Sequence, residues 1–228
     1  MTIVDNFTRI RASIPPHVTL IAVSKTVDDA RLREAIAADH RVFGENYVQE
    51  AKAKWPALKA EFPDVQLHLI GHLQSNKADD AVKLFDRIDT LDRPSLAEAL
   101  SKAMRKQNRN IPCLIEVNIG DEPQKAGCAI ADIHALLALC KTLDIQILGV
   151  MCIPPEGKDP AAHNLRDTSA PEGATGPAYY FKKLAEIAAQ YSLGTISMGM
   201  SGDYEEAIAN GATEVRIGSA IFGTRQPK

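Results

Sequence analysis

Residues 18–24 read VTLIAVS, an apolar, β-branched run that is long enough for one strand and shows little polar alternation. Such a run is typical of a strand that is buried on both faces of a parallel sheet. Seven similar runs follow along the chain: RVFGE (41–45), QLHLIG (66–71), RIDTL (87–91), CLIEVNI (113–119), QILGVMCI (146–153), TISMGM (195–200) and EVRIGS (214–219). The sequence therefore predicts eight buried strands.

Segments of helical periodicity separate these strands, and a short helix over residues 4–12 precedes the first of them. Asp203 and Glu206 have the spacing of a capping box, which predicts a helix that stops at Gly211. Eight strand–helix units indicate an α/β fold, a (β/α)8 TIM barrel that occupies residues 1–228 as a single domain. The alternative is an open doubly wound sheet, but no GxGxxG motif follows the first strand.

Residues 154–177, after the sixth predicted strand, are rich in proline and glycine. This composition predicts a mobile surface loop, which is either a plain excursion of the chain or a lid over the strand ends.

The composition excludes several classes of protein. The chain has 228 residues, a net charge of -3 and 45% hydrophobic residues, which is ordinary for a globular protein. The balanced charge argues against nucleic acid as a partner. The sequence shows neither a signal peptide at its start nor an apolar run of membrane-spanning length, so we expect no membrane partner.

Neither a disulfide framework nor a metal site is predicted. The spacing of Cys113, Cys128, Cys140 and Cys152 fits neither, and we expect reduced thiols in the cytoplasm. His68 and His72 are separated by a glycine that ends their strand, so they should be core or rim histidines.

Lys25 is the first candidate for chemistry, because active sites of such barrels lie where the strands end. It follows the first strand directly, with no acidic residue before Asp28. Partial burial at this position favours the neutral amine, which is a nucleophile toward an aldehyde. A solvated lysine at a strand end is the alternative.

The loops after the last two strands are candidates for binding an anion. Gly199, Ser201 and Gly202 follow the seventh strand, and Gly218 and Ser219 follow the eighth. Small residues let backbone N–H groups approach a phosphate closely, and these two loops are the usual phosphate site of the fold. In either loop taken alone, the glycines could serve only to turn the chain.

Strand alternation turns Arg216 into the barrel if Val215 and Ile217 face the helices. A buried guanidinium needs an acceptor, which is either a ligand or Glu116 on the fifth strand. A lysine on the first strand combined with a phosphate site suggests a phosphorylated aldehyde such as pyridoxal 5′-phosphate (PLP).

Five ordered motifs resemble those of the pyridoxal phosphate homeostasis protein family (the YggS/PROSC type) over residues 18–225. They are AVSKT (22–26), FGENYVQE (43–50), HLIGHLQSNK (68–77), SMGMSGDYEEAI (197–208) and VRIGSAIFG (215–223). The resemblance implies a barrel of the alanine racemase N-terminal type and a role in PLP homeostasis. In this chain the 154–177 loop is longer than expected for the family, and Ser219 stands where threonine is frequent.

The resemblance also implies the roles of single residues. Lys25 holds PLP as a Schiff base, and the other implied cofactor-binding residues are Asn46, Ser197, Met198, Ser201, Arg216, Gly218 and Ser219. Expected partners are PLP and apo PLP-dependent enzymes, with the protein a monomer or weak homodimer. No catalytic turnover is established for the family.

Two enzyme functions stand as alternatives. A slow amino-acid racemase or lyase would use the same bond to Lys25, but racemisation needs an acid/base group on each face of the substrate. In alanine racemase that second group comes from a C-terminal domain, which we do not expect in this chain. A class I aldolase acting on a sugar phosphate is the other alternative.

Overall fold

The computed structural model describes residues 2–155 and 176–223, and its strands close into a parallel barrel in chain order. The strands are β1 (Thr19–Val23), β2 (Val42–Glu45), β3 (Gln66–Leu69), β4 (Arg87–Leu91), β5 (Cys113–Glu116), β6 (Ile147–Met151), β7 (Thr195–Ser197) and β8 (Glu214–Ile217). β1 pairs with both β2 and β8, which closes the ring and excludes the open sheet. The predicted (β/α)8 barrel is confirmed.

Helices surround the barrel within the described residues. They are α1 (Ile3–Ser13), α2 (Asp29–Ala37), α3 (Val48–Glu61), α4 (Ala78–Leu84), α5 (Pro94–Gln107), α6 (Ile133–Thr142), α7 (Pro177–Gln190), α8 (Tyr204–Ala209) and α9 (Ser219–Phe222). Their apolar faces and the outward-facing strand residues form one continuous hydrophobic core between the two layers. Burial of that core is the main stabilising contribution to the fold.

The predicted ends of the strands and one predicted helix cap need correction. The predicted strands run too far at their carboxyl ends, since β5 stops at Glu116 and β7 at Ser197. The apolar pattern continues past them because Val117 and Met198 are still buried. The capping box at Asp203 is also wrong, because this carboxylate accepts a hydrogen bond from the backbone N–H of Met200 (2.6 Å) and caps no N–H of α8.

The predicted 154–177 loop lies outside the described residues except at its two flanks. At its far end, Pro177 is the first residue of α7 and not part of a loop.

Inside the barrel, three charged side chains near the beginning of the strands form a paired cluster. Arg87 binds both oxygens of Asp89 (2.6 and 2.9 Å) and both oxygens of Glu214 (2.8 and 2.5 Å). All three residues are buried. A buried ion pair offsets its desolvation cost only when its hydrogen bonds are satisfied, as those of the guanidinium are here.

The buried imidazole of His68, on β3, makes the stability of the protein depend on pH. Burial lowers its pKa to about 3, so it is neutral in the folded protein, whereas in the unfolded chain the value is near 6.5. The unfolded state therefore binds more protons below pH 6.5, and stability is lost as pH falls. For His68→Gln we expect the free energy of unfolding to depend less on pH than in the native protein. On lowering the pH from about 7.5 to 5, the native protein should lose about 2 kcal/mol more unfolding free energy than the variant.

Urea unfolding at both pH values measures this difference. The exposed His17 supplies the control, since His17→Gln should follow the native protein. Equal pH dependence of His68→Gln and the native protein would contradict the assignment.

Candidate functional site

The carboxyl ends of β8 and β1 lie directly against each other. Ile21 pairs with Arg216, and a Cβ atom added to Gly218 would lie 3.2 Å from Cβ of Val23. Glycine is therefore suited to position 218, where the chain approaches the strand that leads to Lys25. The arrangement brings two predicted site residues, Lys25 and Gly218, to one edge of the barrel.

Arg216 is a buried cation whose hydrogen-bond partners are neutral. Its guanidinium donates to Ser197 Oγ and to the carbonyl oxygen of Cys152, both at 2.8 Å, and the residue is 3% exposed. None of the ion pairs within residues 2–155 and 176–223 includes it. Burial lowers its pKa, although nearby negative charges oppose that effect. Arg87, by contrast, has two carboxylate partners.

Glu116, the alternative partner predicted for Arg216, does not hydrogen bond to it. Its Oε2 is buried and has no hydrogen-bond partner among the described residues. Burial, together with Asp92, raises the pKa of Glu116 to about 7, and Arg216 lowers it. Glu116 is thus a carboxyl group that can gain or lose a proton near neutral pH.

A second unsatisfied polar atom lies after β2. Asn46 Oδ1 is buried and lacks a hydrogen-bond partner in the described part of the chain. Buried polar atoms nearly always have a partner, so such an atom at a strand end is suited to a bound polar ligand. Asn46 and Glu116 therefore add two polar groups to the edge that carries Lys25 and Arg216.

The loops after β7 and β8 are joined by Ser201. Its Oγ accepts hydrogen bonds from the backbone N–H groups of Gly218 (3.3 Å) and Ala220 (3.5 Å). Gly199 has φ +90°, and an added Cβ would lie 2.5 Å from Cβ of Ala207, so only glycine fits there. Ser219 is exposed at the start of α9. The structure thus brings the two predicted phosphate loops into contact.

Ser197 and Met198 differ in what they offer to the site. Ser197 Oγ accepts the hydrogen bond from Arg216. Met198 is fully buried in the hydrophobic core between strands and helices, and its backbone N–H donates to Glu214 O at 3.1 Å. The side chain of Met198 is therefore not brought together with the other predicted residues.

Sequence reasoning missed a polar cluster beside Lys25. Trp55 donates to Glu45 Oε1 at 3.0 Å, and Lys54 lies 2.8 Å from the same oxygen. Glu50 and Lys54 have the i,i+4 spacing of a helical ion pair, which is the signal that could have indicated it.

Grouped metal-ligating side chains and long apolar helices are the features by which a metal site or a membrane span would be recognised in the structure. Within the described ranges there is no group of three metal-ligating side chains, and His72 lies 3.7 Å from Asp92. No helix in those ranges has the length and apolar character needed to cross a membrane.

A surface cleft of about 480 Å³ lies between α3 and α4. It contains none of the strand-end residues described above, and Lys52, Lys59 and Arg109 in its wall are already paired with aspartates. We therefore place the candidate site at the strand ends.

The barrel and its strand-end lysine define a class: residues 2–226 match the family described as "Alanine racemase, N-terminal domain". Alanine racemase of Clostridium difficile shares the fold at a TM-score of 0.75 and 10% identity, over 100% of this chain and 57% of that one. This likeness concerns the fold alone. Within the class, the chain belongs to the pyridoxal phosphate homeostasis protein family, as its more similar relatives establish.

The relative from Pseudomonas aeruginosa is 38% identical over 239 residues, covering 98% of this chain and 96% of that protein. The Escherichia coli relative is 38% identical over 92% of this chain and 87% of its own length. Both are named "Pyridoxal phosphate homeostasis protein". The structure of PipY from Synechococcus elongatus, described as having PLP bound, is 39% identical with a TM-score of 0.82, over 97% of this chain and 100% of that one.

Proposed function

We propose that this protein binds PLP and maintains its intracellular supply, holding the cofactor covalently on Lys25 without catalytic turnover. The observation that carries the proposal is Arg216, a buried cation with neutral partners beside the strand that leads to Lys25. A buried charge favours a bound counter-ion, and PLP has an anionic phosphate as well as the aldehyde that a lysine needs. The PLP-bound relative PipY supports the same cofactor.

Each strand end has a role in this proposal. Lys25 would hold the cofactor through its amine, which would bond to the aldehyde carbon as a C=N Schiff base with loss of water. Ser201, Gly218 and Ser219 would hold the phosphate between the two loops, with the Gly218 N–H donating to Ser201 Oγ, and Arg216 would neutralise either the phosphate or the ring end of the cofactor.

The remaining proposed contacts come from neighbouring strands. Asn46 offers an unsatisfied carbonyl oxygen, Ser197 orients Arg216, and Met198 takes part only through its backbone.

The requirement for proton transfer distinguishes the non-catalytic role from an enzymatic one. Bound PLP supplies an electrophilic carbon and an electron sink, and turnover would need a proton donor and acceptor on opposite faces of the substrate. A slow racemase or lyase is the second candidate, and Glu116 is the observation in its favour. It stands on β5, four strands from β1 in the ring of eight, and its raised pKa suits proton transfer.

Amino-acid turnover assays separate the two roles. Activity that is present in the native protein and lost in Glu116→Gln would favour the enzyme.

We place the protein in the cytoplasm, as a monomer or weak homodimer that delivers PLP to apo PLP-dependent enzymes. The four cysteines are all free and buried, which agrees with a reducing compartment. Transfer of PLP to an apo enzyme in a coupled activation assay tests the delivery role.

Arg216→Gln tests the cofactor site. Glutamine keeps a hydrogen-bond donor toward Ser197 and Cys152 but removes the charge, and a charge-assisted hydrogen bond contributes about 1.5–3 kcal/mol. We expect the Kd for PLP in equilibrium dialysis to rise roughly 10- to 150-fold, with thermal unfolding close to that of the native protein.

Arg33→Gln, which removes a surface ion-pairing arginine, is the control and should change neither quantity. If Arg216→Gln unfolds the barrel while its folded fraction retains PLP affinity, Arg216 is structural.

A further inference from the structure

A buried to half-buried polar cluster lies beside the turn that carries Lys25. We call it the Lys54 cluster; its members are Ser24, Glu45, Glu50, Lys54 and Trp55. We infer that Lys54 is a positioning residue which, with Glu45 and Glu50, fixes the conformation of the Lys25 turn and so determines how readily Lys25 reaches the aldehyde. The inference rests on the proposed function of Lys25.

The turn has a conformation that its own sequence does not favour. Lys25 is the second of four residues closed by a hydrogen bond from Val27 N–H to Ser24 O at 3.1 Å. The third residue, Thr26, has φ +63°. This left-handed region suits glycine or asparagine and is unfavourable for a β-branched side chain. Other contacts must therefore hold the turn in this shape.

Two side chains from one turn of α3 supply those contacts. Glu50 Oε1 accepts the backbone N–H of Thr26, the strained residue itself. Lys54 Nζ donates to Ser24 O at 2.9 Å and to Val27 O at 3.4 Å, which are the two ends of the turn. It also binds Glu50 Oε1 at 2.8 Å. Lys54 thus connects both ends of the Lys25 turn to the residue that holds its centre.

Glu45 fixes Lys54 from the other side. Glu45 points away from the barrel axis, because the neighbouring Gly44 faces Ile21 and Ile70 inside the barrel. Its buried Oε1 accepts hydrogen bonds from Ser24 Oγ (2.8 Å) and Trp55 Nε1 (3.0 Å) and lies 2.8 Å from Lys54 Nζ. A buried ion pair contributes little net stability, so its value lies in specifying one arrangement of the groups around it.

Lys59, later in the same helix, shows what a purely structural lysine would do. Its side chain is 21% exposed against 15% for Lys54, and it pairs with Asp86 at 2.5 Å. It also donates to Leu84 O at 3.2 Å, at the end of α4. Both lysines attach α3 to its surroundings, but the hydrogen bonds of Lys59 go to the last residue of α4 and to Asp86, which precedes β4. A comparison of Lys54 with Lys59 therefore separates an effect on the position of Lys25 from a general loss of the contacts that hold α3.

The test compares Lys54→Met with Lys59→Met. PLP is mixed with each variant, and the growth of the borohydride-trappable visible band is followed by stopped-flow, per folded protein. We expect Lys54→Met to slow the reaction about tenfold or more, because misplacement of a reacting group is costly, and Lys59→Met to stay within about twofold. Thermal unfolding should shift more in Lys54→Met, which leaves the buried Glu45 without its cation, and for this reason the rates are compared per folded protein. Equal rates per folded protein would overturn the inference.

Two further variants keep the test decisive. Thr26→Gly added to Lys54→Met should restore much of the rate, since glycine adopts the left-handed conformation without strain. Failure to restore it would overturn the role of the turn conformation. If Lys54→Met does not fold, Glu50→Gln takes its place and should slow the reaction in the same direction. A native protein that forms no band would instead refute the proposed function.

Discussion

Lys25→Ala should abolish the visible absorbance band of the protein purified with PLP, and borohydride should leave no cofactor attached to the chain. Alanine lacks the amine that forms the C=N bond, so covalent attachment is lost. The phosphate contacts are unchanged, and we expect residual, readily dialysed binding. The measurement is an absorbance spectrum of native and variant protein, before and after reduction, followed by peptide mass mapping.

Lys52→Ala, on the exposed face of α3, is the control and should keep the band. In the native protein the reduced adduct should map to the peptide that contains Lys25. An unchanged spectrum in Lys25→Ala would remove this lysine from the site. A native protein without any band, even after PLP is added, would refute the cofactor itself.

Arg87→Met should cost about 3–5 kcal/mol of unfolding free energy, because it leaves Asp89 and Glu214 buried without their cation. The side chain keeps its apolar stem, so lost packing contributes little. Urea unfolding at neutral pH measures the loss. PLP affinity of the folded fraction should stay close to native, since the cluster lies at the opposite end of the strands from Lys25.

A triple variant serves as the matched control for this prediction. Arg87→Met, Asp89→Asn and Glu214→Gln together remove all three charges and should recover a substantial part of the lost stability. If Arg87→Met alone unfolds like the native protein, the ion pairs do not support the barrel.

The fold was predictable because its signal is local and repeated. Each strand of a parallel barrel is buried on both sides, so apolar runs such as residues 113–119 are easily recognised in the sequence. The presence of eight such runs predicts that the sheet closes into a barrel. Alternation also predicted the inward direction of Arg216. Strand ends were less predictable, because the side chains that follow them, such as Met198, remain buried in the same core.

The site was only partly predictable, for a different physical reason. Lys25 and the glycine loops lie at strand ends, whose positions follow from the topology alone. The Lys54 cluster joins β1, β2 and α3, and the ion pair of Arg87 joins residues far apart in the chain, Arg87 and Glu214. Such contacts depend on side-chain directions in three dimensions. A single sequence shows the acids and bases but does not show which of them meet.

The paired charges of Arg87 and the unsatisfied groups of Asn46 and Glu116 at the strand ends have a practical consequence for engineering. Arg87 and its two acids pair inside the barrel, whereas Asn46 Oδ1 and Glu116 Oε2 have no partner among the described residues. A library that varies only these last two positions should retain the scaffold while changing which carbonyl compound the lysine captures. With Lys25 binding an aldehyde as proposed, the chain is a starting point for selective aldehyde receptors.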